Sequence, residues 1–238
     1  MRKKNPIIVA MDVPTRKEAE RIVNDLIKYV SIFKIGHQLF IREGKDIVRM
    51  IQDKGGEVFL DLKFHDIPTV ISNAVEVAVE EKVYMLTLHS LGGRAMLDEA
   101  VRGLEVLHEE SEERGPLLLG VTVLTSLGED DLLELGFSLS MKEQVLKLAT
   151  ICKECSLNGI VCSGEEISLI RERFKENFLI VTPGVRLEVL PSDDQKRIIT
   201  VEDALKNGAD YLVMGRSITE SKEPKEKMEL ILEKLNKV

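Results

Sequence analysis

The sequence contains no tryptophan, and aromatic residues make up only 4% of its 238 positions. Proteins that grip single-stranded nucleic acid stack bases on aromatic side chains, so that role is poorly provided for. A basic excess is missing too. Thirty-three lysines and arginines face 41 aspartates and glutamates, a formal net charge of −8 at pH 7, which argues against a general binder of phosphate backbones. An anionic small molecule stays compatible with this balance if a pocket gathers positive charge locally. Long apolar runs are also lacking. Met1-Arg2-Lys3-Lys4 is basic, but the stretch behind it breaks at Asp12, too early for the apolar core of a signal peptide, and nothing approaches a membrane span. The three cysteines are an odd number and make no disulfide framework. Cys152 and Cys155 have C-x-x-C spacing inside an apparent helix. With no second ligand pair for zinc and no other redox element, buried reduced thiols are expected there. The expected setting is cytoplasmic, with neither nucleic acid nor membrane as partner.

What the chain does have is alternation. Hydrophobic residues at 44% and charged residues at 31% describe a globular protein, and no linker or change of composition divides it, so one domain over residues 1–238 is expected. Short apolar, β-branched runs read as eight strands: Ile7–Met11, Ser31–Gly36, Glu57–Leu60, Val83–Leu88, Leu117–Leu124, Gly159–Cys162, Phe178–Val181 and Tyr211–Met214. Helical periodicity fills the intervals, including one helix from about Gln38 to Lys54, with irregular chain around Gly128 to Ser140. Eight such units predict an α/β protein built as a single (β/α)8 barrel with a parallel sheet.

The polar residues then fall into place. Side chains on a strand alternate with period two, so Asp61 and Lys63 leave one face where the third strand ends, and Asp66 follows in the loop before Pro68. An isolated D-x-K-x-x-D can equally be a structural ion pair at a strand end. Asp12, Lys34, Thr125, Ser126 and Gly215-Arg216 share the habit of sitting at or just past the C-terminal end of a strand, and a barrel gathers those ends onto its active face. The connection from Pro183 to about Ile199 has no clear secondary structure and carries Pro183-Gly184, Arg186 and Gln195 as donors. Loops of that length usually act as lids or are disordered. Barrels often hold phosphate between the loops after strands 7 and 8, at the N-terminus of a short helix, and Arg216 would add a permanently charged fork there.

Asp61-Leu62-Lys63-Phe64-His65-Asp66-Ile67-Pro68 resembles the signature of the orotidine 5′-phosphate decarboxylase family, in its bacterial-type branch. The resemblance extends through Ala10-Met11-Asp12, Phe33-Lys34-Ile35-Gly36, Val121-Thr122-Val123-Leu124-Thr125-Ser126, Val181-Thr182-Pro183-Gly184-Val185-Arg186, Asp194-Gln195-Lys196-Arg197 and Gly215-Arg216-Ser217. It implies a homodimeric barrel without metal or organic cofactor that converts orotidine 5′-phosphate to UMP. By this resemblance Lys63 is the proton donor in a charged array with Lys34, Asp61 and Asp66. Asp12 and Lys34 hold the ribose hydroxyls, Thr125 and Ser126 meet the pyrimidine, and Pro183, Arg186, Gln195, Gly215 and Arg216 form the phosphate side. Asp66 crosses to the neighbouring subunit's site, with Ile67 and Thr69 beside it at the interface. The family usually reads Asp-Ile-Pro-Asn-Thr where this chain has Asp66-Ile67-Pro68-Thr69-Val70, so the threonine contact is in question. Two rivals belong beside this reading. A Mg²⁺-dependent barrel decarboxylase of keto sugar acid phosphates needs an acidic residue near the end of strand 2, where Lys34 stands and would repel a cation. A non-catalytic nucleotide binder on the same fold is the other.

Overall fold

The computed structural model describes residues 5–110, 115–175, 177–187 and 198–235. Eight strands close into a barrel: β1 (Ile7–Ala10), β2 (Ile32–Ile35), β3 (Glu57–Phe64), β4 (Met85–His89), β5 (Leu117–Val121), β6 (Gly159–Val161), β7 (Leu179–Thr182) and β8 (Tyr211–Met214). They run around the wall in chain order, β8 pairs with β1, and every neighbouring pair is parallel. This is the (β/α)8 barrel that the alternation predicts.

Period-two alternation divides the strand side chains between two cores. Ile8, Ala10, Ile32, Phe59, Met85, Leu119, Val181 and Val213 fill the barrel interior. The alternate residues, such as Ile7, Val9, Phe33, Val58 and Leu86, pack outward against the helices. Each such branched side chain taken fully from water contributes roughly 1.5–3 kcal/mol. All three cysteines are free and buried. Burial pushes the Cys152 thiol up to about 12 and the Cys155 thiol up to about 11, so both stay protonated and inert. Among the described residues no helix is long and apolar enough to cross a membrane.

Four expectations need correction. The helix anticipated from Gln38 to Lys54 is two, His37–Glu43 and Asp46–Asp53. Gly44 takes φ 61° and its N–H closes back on the Phe40 carbonyl at 2.8 Å, which ends the first helix. β5 stops at Val121 rather than Leu124, because its neighbours offer partners only as far as His89 and Val161. The stretch after Gly128 holds a short helix, Glu129–Glu134, whose Asp131 carboxylate accepts from the Gly128 N–H at 2.6 Å. The connection after β7 carries secondary structure at its two described ends, where Val185–Arg186 pairs in parallel with Ile199–Thr200; residues 188–197 lie outside the described residues. Thr200 then caps a further helix, Val201–Lys206, that the sequence reading does not contain.

Candidate active site

The inward-facing residues position the site. Moving two residues along from an interior residue gives the next inward side chain, one layer nearer the C-terminal rim. From Ala10, Ile32, Phe59 and Met85 that step reaches Asp12, Lys34, Asp61 and Thr87, which gather at the rim. From Leu119, Val181 and Val213 it reaches Val121, Pro183 and Gly215, which line the same cavity of about 240 Å³.

The charges alternate in space. Lys34, only 9% exposed, lies 3.5 Å from Asp12 Oδ1 and 3.3 Å from Asp61 Oδ2. Lys63 Nζ is 3.0 Å from the other oxygen of Asp61. Thr87 adds a hydroxyl that donates to Asp61 Oδ1 at 3.0 Å and accepts from the Lys63 backbone N–H at 2.8 Å. Burial by itself would raise the Asp61 pKa. Lys34 and then Lys63, with hydrogen bonds from Lys63 and Thr87, outweigh it and hold the carboxyl below its ordinary range.

The backbone is bent to make this fit. β3 pairs with β4 through Leu60 and Leu86 and next through Phe64 and Leu88, so β3 carries two extra residues over that interval. The bulge sets Asp61 and Lys63 together against Thr87, and Lys63 takes φ 48° to do so. A left-handed lysine costs about 1–2 kcal/mol, and strain of this kind collects at functional sites.

The phosphate-side candidates lie across the barrel. In the closed order β7 is four strands from β3, so Pro183, Gly184 and Arg186 face the lysine pair over the cavity, with Gly215 and Arg216 from the end of β8 beside them. A four-residue helix, Arg216–Thr219, starts there as expected. Thr125 also lines the cavity, from a loop rather than a strand end, while Ser126 is exposed and is not among the lining residues. Gln195 lies outside the described residues. Asp66 is exposed, accepts a hydrogen bond from the Ile67 N–H at 2.7 Å and does not line its own barrel's cavity. Ile67, 64% exposed, and Thr69 point outward beside it. The residue that sequence reasoning missed is Thr87. Its one signal is a hydroxyl in an otherwise apolar strand, and threonine is too common in strands for that to stand out.

Among the described residues no three His, Cys, Asp or Glu side chains come together as a metal site. The Lys34 ammonium occupies the space between Asp12 and Asp61, where a divalent cation would need both carboxylates.

Residues 5–231 match the family described as orotidine 5′-phosphate decarboxylase / HUMPS. The chain belongs to that family. It is a carboxy-lyase. The orotidine 5′-phosphate decarboxylase of Syntrophotalea carbinolica is 45% identical over 229 residues, 96% of this chain and 94% of that protein. The one from Coxiella burnetii is 42% identical over 97% of both. Among solved structures, orotidine 5′-phosphate decarboxylase from Lactobacillus acidophilus superimposes with a TM-score of 0.86 at 33% identity, covering 98% of this chain and all of that one. An uncharacterized conserved protein from Geobacillus kaustophilus gives 0.84 at 34% identity, covering 96% and 99%. Against the decarboxylase signature, the departure at Val70 falls on the surface. Val70 is 45% exposed and stands with Ile67 and Val77 along the outer face of helix Pro68–Glu80.

Proposed function

We propose that this chain decarboxylates orotidine 5′-phosphate to UMP in pyrimidine biosynthesis. The observation that carries the reading is Asp61 held ionised between two lysines at one side of the cavity, with two arginines across from it. The arrangement suits a substrate that is anionic at both ends. Its phosphate lies toward Arg186 and Arg216, with Gln195 and the backbone at Gly215 as further donors and the 183–199 connection over it. Its ribose hydroxyls meet Asp12 and Lys34. Its pyrimidine lies near Thr125, which lines the cavity, with the carboxylate toward Asp61.

Loss of CO2 breaks the bond between C6 and the carboxyl carbon and leaves the electron pair on C6, where the ring offers no easy delocalisation. Lys63 stabilises that developing charge and then transfers an ammonium proton to C6. A unit charge pair at 4 Å is worth roughly 4 kcal/mol at an effective dielectric of about 20. Charges fixed beforehand need no reorganisation as the reaction proceeds. Asp61 holds the Lys63 side chain in place at 3.0 Å, and its repulsion of the substrate carboxylate is relieved when CO2 departs. The two lysines supply the positive charge the reaction needs, so no metal or organic cofactor enters it. The working form is a cytoplasmic homodimer of one-domain barrels, in which Asp66, Ile67 and Thr69 of each protomer complete the other's site. The test is CO2 release from orotidine 5′-phosphate by the purified protein, before and after exhaustive dialysis against EDTA. Equal turnover in both is expected. Activity lost with the chelator and restored by Mg²⁺ would overturn the mechanism.

A further inference from the structure

Past β6 the chain makes a buried turn that the proposed chemistry leaves unused. Ser163 and Glu166 are each only 1% exposed. One oxygen of the Glu166 carboxylate accepts both from the Ser163 N–H, at 2.9 Å, and from the Ser163 hydroxyl. The Glu166 N–H donates in turn to the Ser163 carbonyl at 3.3 Å. A short loop whose side chains and backbone bond one another in this way has little freedom to shift. It begins at Cys162, which lines the cavity.

The locked loop presents Gly164 to Ile199. A Cβ placed on Gly164 would sit 2.6 Å from Ile199 Cβ, 2.7 Å from Cγ2 and 3.0 Å from Cδ1. Only a glycine lets the two segments approach this closely. Ile199 is half-buried against the core, and its backbone is tied to the phosphate side. Val185 pairs with Ile199 and Arg186 with Thr200, and the Ile199 N–H reaches the Gly184 carbonyl at 3.4 Å. The contact therefore leads from a rigid turn, through one isoleucine, to the two-residue strand that carries Arg186 into the cavity wall.

We infer that Gly164 is a positioning residue for Arg186. The loop after β6, held by Ser163 and Glu166, fixes Ile199 by direct contact, and Ile199 fixes the Gly184–Arg186 segment through their paired backbones. The inference rests on the phosphate-side reading of Arg186 and adds the structural origin of its placement. A methyl at residue 164 forces Ile199 outward and moves the guanidinium with it. Misplacement of a binding group by about 1 Å costs up to ~10²-fold.

Competitive inhibition by UMP and by uridine, which lacks the phosphate, tests this in Gly164→Ala, Ile199→Ala and Arg186→Ala, with thermal unfolding as a check on folding. Gly164→Ala should weaken UMP about tenfold, raise KM for orotidine 5′-phosphate in parallel and leave uridine within about twofold. Ile199→Ala removes the same contact without the steric push and should shift the UMP-to-uridine ratio in the same direction. It carries the test alone if Gly164→Ala does not fold. If Arg186→Ala discriminates against UMP while both other variants leave the ratio unchanged, the positioning role is wrong and the phosphate reading survives. If Arg186→Ala weakens UMP and uridine equally, the phosphate reading fails and the positioning role falls with it.

Discussion

Lys63 shows best why single residues in this site have to be what they are. Its backbone is left-handed at φ 48°, its amide donates to Thr87 and its ammonium meets Asp61. Thr87 therefore serves two residues of β3 with one hydroxyl, and it is fully buried. We expect Thr87→Val, which keeps shape and loses the hydroxyl, to leave the Lys63 amide and an oxygen of Asp61 each short of a partner. A loss of roughly 1–3 kcal/mol in stability should accompany a drop in kcat larger than any change in KM. Denaturant unfolding and steady-state kinetics measure both, and an unchanged kcat would show that Thr87 plays no part in placing Lys63. At this scale most of the site was legible. Asp12, Lys34 and Asp61 stand out because charge at an inward position near the end of an apolar strand breaks the pattern, and period two does the rest. Thr87 was hidden because a threonine breaks no pattern in a strand. The left-handed turn at Lys63 was hidden because it comes from a mismatch between two strands, which neither strand shows alone.

Among the elements, the loop after β3 leans on the end of β4 through a pair of imidazoles. The rings of His65 and His89 stack at 5.4 Å between centroids with 22° between planes. His89 Nδ1 accepts from the Leu91 N–H at 3.4 Å and so opens the turn Ser90–Gly92. Burial first, then His65 and Lys63, push the His89 pKa below its ordinary 6.5, and the hydrogen bond needs Nδ1 unprotonated. Near pH 6 and below, the unfolded chain takes up a proton at this histidine that the folded chain resists, so stability is full above the unfolded value and falls as pH drops toward the folded one. His89→Asn keeps an acceptor for Leu91 and cannot titrate. Between about pH 7.5 and 5.5 we expect its melting temperature to fall less than that of the unsubstituted protein. Parallel declines would mean that His89 titrates as freely in the fold as out of it. Element boundaries were the least legible part of the fold. A single glycine split one anticipated helix, and β5 ended early because its neighbours did. Both depend on what lies alongside, which a linear pattern does not contain.

For the whole molecule, the barrel was legible in the alternation of eight strand signals, and the family in the ordered motifs. Partnership between two chains rests on a smaller set of observations. Asp66 stays out of its own cavity, and Ile67, Val70 and Val77 form an exposed apolar stripe along one helix beside it. Under the proposed two-fold dimer each Asp66 reaches its partner's Lys63. Mixing Asp66→Ala with Lys63→Ala protein, each nearly inactive alone, should then restore activity as subunits exchange. Each heterodimer gains one site with both residues intact and one with neither. Exchange without recovery would place Asp66 within its own barrel's chemistry.

The proposal that Lys63, held beside Asp61, stabilises and protonates the carbanion is tested most directly by Lys63→Ala. Its decarboxylation of orotidine 5′-phosphate is measured together with its affinity for UMP. UMP binding should stay within about an order of magnitude, since the product carries no charge at C6, while turnover falls by many. A fall in turnover of less than about tenfold, or below ~1.4 kcal/mol in the barrier, with UMP binding intact, would contradict the assignment and send the search for the proton donor elsewhere in the cavity.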